Sequence, residues 1–158
     1  MGILTADMKR IVEEQRLGFV ATVDPDGAPS LSPKGTLAVW DGDHLIFADI
    51  RSPRTVANLK ANPAVEVNVV DPFARKGYRF KGVATVLSEG PPFDSGVSFF
   101  RQRAVLHAIQ HVVMIEVRRA LPLTSPAYDL GATEEQVRVR WEDHFASLSA
   151  GTPRKDGE

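Results

Sequence analysis

The chain contains no cysteine among its 158 residues. That removes disulfides, thiolate nucleophiles and Cys-ligated metals together, and it fits a cytoplasmic setting. Neither sign of charge is in excess: 19 Lys and Arg stand against 20 Asp and Glu, a net charge of −1. A domain that grips nucleic acid carries a basic surface, so no nucleic-acid partner is expected. No apolar run approaches the ~20 residues of a membrane span. The opening segment, MGILTADMKR, holds no signal-peptide core. Chemical signatures are missing too: there is no GxGxxG, no Walker lysine loop, no GxSxG and no HExxH. No nucleophile stands beside a base. The expectation is a soluble cytoplasmic domain.

What the sequence does hold is alternation. Residues 1–150 read as one domain, long enough to bury roughly 70% of its unfolded surface, and 151–158 (GTPRKDGE) as a disordered tail. Leu4, Met8, Ile11 and Val12 predict an amphipathic helix over 5–16. A half-buried strand follows over 17–24, its apolar face formed by Leu17, Phe19, Ala21 and Val23. Turns at Pro25-Asp26-Gly27 and Asp41-Gly42-Asp43 join it to strands over 28–40 and 44–50. A short helix stopped by Asn62-Pro63, strands over 65–70 and 78–88, a helix with Phe93, Val97, Phe100 and Ala104 as its stripe, and a strand over 111–118 complete the pattern. Thr133 and Gln136 form a capping box for a last helix striped by Val137, Trp141, Phe145 and Leu148. The fold class is mainly β (α+β): a six-stranded antiparallel barrel, closed or nearly so, with peripheral helices.

Two features can grip an anion. Ser52 is a good N-cap, Pro53 suits the first helical position, and Arg54 and Thr55 occupy the first turn. Free N–H groups and the helix dipole gather positive charge there. Twenty residues earlier, Ser32-Pro33-Lys34-Gly35-Thr36 breaks a strand with proline and glycine, the mark of a bulge where a ligand can approach backbone. Together they point to a phosphorylated ligand. His107 and His111 have i, i+4 spacing, which places two imidazoles on one face if the segment is helical, but the pattern turns to strand at His111 and no carboxylate lies between them. Trp40 and Trp141 read as packing residues.

The order of these pieces resembles the pyridoxamine 5′-phosphate oxidase-like flavoproteins with a split β-barrel. The resemblance covers about residues 17–118 and rests on LSPKGT, DGDHLIFAD, SPRTVANLKANP, VEVNVVD and GYRFKG in that order. It implies a homodimer that binds flavin mononucleotide (FMN) near the subunit interface. By resemblance Ser32, Pro33, Lys34, Gly35 and Thr36, with Arg54 and Thr55, hold the phosphate and ribityl chain, while Phe47, Ala48 and Asp49 line the flavin edge through backbone. The oxidase's Arg-x-Val-Leu-Leu-Lys strand and C-terminal arginine–histidine motif are both missing. Oxidation of pyridoxamine phosphate is therefore not expected, and the small-molecule substrate stays open. Relatives on this fold also bind a deazaflavin or haem.

The leading expectation is an FMN-dependent oxidoreductase. Its rivals are a flavin-binding or electron-transfer module without a substrate pocket, and a deazaflavin-dependent reductase. For the dimer, the strand over 78–88 is the sequence argument: its face of Arg79, Lys81, Val83, Thr85 and Leu87 turns from charged to apolar and needs cover. That cover comes from a second copy or from the last helix through Trp141 and Phe145.

Overall fold

The structure is a computed structural model and describes residues 2–151. Helix α1 spans Ala6–Gln15, and strands β1 to β4 span Gly18–Val23, Pro29–Lys34, Ala38–Val39 and His44–Asp49. After α2 (Pro53–Ala61) come β5 (Ala64–Asp71), β6 (Lys76–Leu87), α3 (Gly90–Gln102), β7 (His111–Thr124) and α4 (Glu134–Gly151). Short side-chain bonds punctuate the chain where expected. The Thr5 hydroxyl accepts from Met8 N–H to start α1. In the β1–β2 turn, Asp24 Oδ1 accepts from the Asp26 and Ala28 N–H groups, and Gly27 supplies the left-handed residue at φ 83°.

The strands form one antiparallel sheet in the order β2-β1-β5-β6-β7-β4-β3. Its two edges, β2 and β3, are consecutive in sequence, with only Gly35, Thr36 and Leu37 between them. Four residue steps span at most about 14 Å. A flat seven-stranded sheet would hold its edges far further apart at ~4.8 Å per strand, so this one must curl until they nearly meet. The result is a barrel split at the β2–β3 crossing. The segment read as one bulged strand over 28–40 is thus two strands with different neighbours. Lys34 is the last residue of β2 to pair with β1, while Ala38 and Val39 pair with Ile46 and Leu45 of β4. This raises the count from six to seven. A register shift does occur, but between Lys81 and Gly82 against β7. A Cβ on Gly82 would sit 2.2 Å from the Glu116 carbonyl oxygen, so only glycine fits.

Val20, Leu45, Phe47, Val67, Val69, Phe80, Val113 and Ile115 fill the barrel, and α1 adds Ile11 and Val12. Each such side chain contributes roughly 1.5–3 kcal/mol through burial. A second layer lies outside β4 and β7, where Phe100 of α3 packs on Ile46, Ala48 and Val112. Leu87 joins this layer, so α3 covers the end of the β6 face that the sequence left open.

Other expectations need correcting. The buried face of β1 is Gly18, Val20 and Thr22; Leu17 and Phe19 are 43% and 42% exposed. Thr22 takes the inner side because its hydroxyl accepts from the Asn58 side-chain amide at 3.0 Å. Strand β7 runs on to Thr124, six residues past its expected end. Helix α3 stops at Gln102, leaving Ala104 outside with φ 62°. In α4 the Thr133–Gln136 capping box forms, yet only Val137 of the stripe is buried. Gly151 closes that helix, and the rest of the expected tail lies outside the described residues. Among the described residues no helix is long and apolar enough to cross a membrane.

Candidate functional site

The split in the barrel brings Lys34 of the SPKGT segment to Ser52 at the start of α2. Period-two geometry turns Ser32 and Lys34 to the inner face of β2 and Leu31 and Pro33 to the outer. Lys34 ends the strand with only 4% of its surface exposed. Its ammonium donates to Ser32 Oγ at 2.7 Å and Ser52 Oγ at 2.6 Å, and lies 5.8 Å from the centre of the Phe47 ring. An ammonium has three N–H donors. Among the described residues no carboxylate forms an ion pair with it. Burial pushes its pKa below the ordinary lysine value, and the charge of nearby Asp49 only partly offsets this. Buried charges are normally paired; this one faces two neutral hydroxyls.

Ser52 is held from two sides. Its N–H donates to Asp49 Oδ1 at 2.8 Å, and its hydroxyl accepts from Lys34. The hydroxyl therefore does not cap α2, contrary to the sequence reading. The N–H groups of Arg54 and Thr55, which have no intrahelical acceptor, find no side-chain cap among the described residues. Arg54 is exposed and forms no ion pair among the described residues, whereas Thr55 is buried.

The remaining predicted residues divide. Thr36 Oγ1 donates to the Ala48 carbonyl at 3.1 Å and accepts from the Ala48 N–H at 3.0 Å, standing in for a strand neighbour just before β3 begins. With Gly35 it lines a small cavity of about 50 Å³ that also touches Arg16, Phe100 and Arg103. Phe47 is fully buried beneath Lys34, and Ala48 lies under α3. Pro33 points away from the cluster, on the outer face with Leu31.

Sequence reasoning missed one contact. Asp49, 1% exposed, places Oδ2 2.9 Å from His111 Nδ1. The pairing of β4 with β7 sets the two opposite each other, a relationship 62 residues apart that no local pattern reveals. His111 is thereby oriented, and Nε2 is the nitrogen left for other work. The helical His107–His111 pair does not form, because α3 has ended and His111 opens β7. No cluster of three or more metal-ligating side chains occurs among the described residues.

Among the described residues the site thus gathers a buried ammonium and a guanidinium without ion pairs and helix N–H groups without acceptors, a set suited to a phosphate. Comparison with known proteins gives it a context. Residues 4–124 match the pyridoxamine 5′-phosphate oxidase family. The chain is similar to HupZ of Group A Streptococcus at 30% identity and TM-score 0.71, over 78% of this chain and 96% of that one. The same fold is found in an FMN-binding protein of Syntrophomonas wolfei (16% identity, TM-score 0.65, 77% and 87% coverage). It is also found in the heme storage protein HutZ of Vibrio cholerae (19% identity, TM-score 0.61, 77% and 94% coverage). No curated protein sequence matches the chain.

Proposed function

The chain belongs to the pyridoxamine 5′-phosphate oxidase family, and from that premise we propose that it binds FMN by its phosphate and serves as an FMN-dependent oxidoreductase for a small molecule. The observation that carries this reading is Lys34, a buried ammonium held by two serine hydroxyls with no carboxylate partner among the described residues. A phosphate dianion supplies the missing charge. Arg54 and the first-turn N–H groups of α2 would complete its shell, and Asp49 would fix Ser52 without touching the phosphate. When bound, FMN supplies the two-electron carrier. The protein's share is to hold it, to desolvate its phosphate and to present the Asp49–His111 pair nearby.

The same reading includes a homodimer. Phe19 and Leu31 are 42% and 67% exposed, and the register places them on the outer faces of β1 and β2. A contiguous apolar face of this kind favours a partner copy. Lys34 sits at the end of this β2 edge, so a second protomer packed on it would wall the flavin site. The lack of cysteine and of a membrane-length apolar helix among the described residues agrees with a cytoplasmic setting.

The absorbance spectrum of the purified protein tests the cofactor. A two-banded flavin spectrum, released as FMN on denaturation, is the expected result. A single deazaflavin band or a haem Soret band would replace this reading with one of its rivals. Turnover of an organic substrate, beyond reoxidation by oxygen, then separates an enzyme from an electron carrier.

A further inference from the structure

Just before β6 begins lies another cation with no ion pair among the described residues, Arg75. Arg75 closes the β5–β6 turn in the left-handed region at φ 54°, which side chains other than glycine seldom adopt. Its guanidinium carbon lies 3.5 Å from the centre of the Trp141 ring on α4. Such stacking on an indole face holds a guanidinium flat and leaves its edge free for hydrogen bonds. Nε is buried and has no hydrogen-bond partner, and the residue as a whole is half-buried. Two carboxylates at this end of the sheet are already paired with other cations. Asp71 pairs with Arg138 at 2.9 Å and accepts from the Phe73 and Ala74 N–H groups. Glu134 pairs with Lys76 at 2.9 Å and with Arg138 at 3.3 Å. Both stay ionised to lower pH than usual, Glu134 through its bonds to Lys76 and Arg138, and Asp71 because its hydrogen bonds outweigh burial.

Arg75 borders a groove of about 310 Å³ whose other lining residues are Val70, Leu123, Thr124 and Ser125. Two aliphatic residues beside an arginine suit a small organic body that ends in an oxyanion. We propose that Arg75, held in place by Trp141, binds the carboxylate or phosphate of such a small organic acid, with Val70 and Leu123 against its body. Residues 4–124 carry the family match, so Trp141 lies outside it and the site depends on this chain's own C-terminal helix. The proposal stands apart from the flavin reading.

The chain has two tryptophans, and their indole N–H signals in a 15N–1H spectrum are told apart by Trp40→Phe. The full-length protein is titrated with benzoate, phenyl phosphate and, as a neutral isostere, benzamide. Saturable movement of the Trp141 signal with benzoate or phenyl phosphate is expected, and whichever binds more tightly names the oxyanion. Arg75→Gln should weaken that binding roughly ten- to a hundredfold, the loss of a charge-assisted pair. The proposal is overturned if neither acid moves the signal, if benzamide moves it equally, or if folded Arg75→Gln binds as tightly. Should that variant not fold, the acid-versus-amide comparison on the unaltered protein decides alone.

Discussion

Lys34 Nζ and Ser52 Oγ lie 2.6 Å apart, 18 residues removed in sequence, and they join the split edge of the barrel to the start of α2. The bond turns Ser52 away from its usual task of capping a helix. It also places a cation where nothing else among the described residues neutralises it.

A buried, unpaired charge weakens the fold that contains it. Lys34→Met should therefore raise the melting temperature of the unliganded protein, by about 2–4 °C for each kcal/mol of relieved desolvation. The pH dependence follows from the same cause. Because burial lowers the folded-state pKa of Lys34, the unfolded chain binds more protons between that value and the ordinary lysine value. Stability of the unliganded protein should rise with pH across this window, and Lys34→Met should abolish that rise. Thermal melts of both proteins as a function of pH provide the check. A melting temperature lowered in the variant throughout would mean that the ammonium is already compensated.

Asp49 makes a separate prediction. Asp49→Asn keeps the volume but can offer an N–H where Oδ2 faced His111 Nδ1. Nδ1 must then accept, and the proton of the neutral ring moves to Nε2. Imidazole 15N shifts should report the exchange of tautomers. Asp49→Ala removes the acceptor of the Ser52 N–H as well and should cost about 1–3 kcal/mol in urea denaturation. Unchanged shifts in the first variant would show that Asp49 does not set the ring.

These contacts mark the boundary of what the sequence makes legible. Helices α1 and α2, the two tight turns and the valine alternation of β5 are local patterns and could be read directly. Lys34 and Ser52 each lie in a short motif, but the bond that joins them spans 18 residues. The face of β1 could not be read that way: apolar residues occur on both sides, and the buried one packs Val20 in the barrel and pairs Thr22 with Asn58, 36 residues away. The break between β2 and β3 was visible in Pro33 and Gly35, but its meaning depends on which strands pair. His111 opposite Asp49 is likewise a product of topology.

The outward apolar face of β1 and β2 yields the assembly prediction. Phe19→Asp combined with Leu31→Asp alters two exposed positions, so the isolated protomer should keep its fold. Light scattering should show twice 17.3 kDa for the unaltered protein and 17.3 kDa for the variant. Flavin should be lost with the partner if the second protomer walls the site. A variant that stays dimeric would place the interface on another face.

The central claim is that this site recognises a phosphate, and calorimetric titration with FMN and with riboflavin addresses it most directly. The two ligands share the isoalloxazine ring and ribityl chain and differ only in the group assigned to Lys34 and Arg54. FMN should bind at least about tenfold more tightly than riboflavin. Arg54→Ala should reduce that advantage roughly ten- to a hundredfold while riboflavin binding stays nearly constant. Equal affinity for the two flavins in the unaltered protein, or equal weakening of both by Arg54→Ala, would contradict the account.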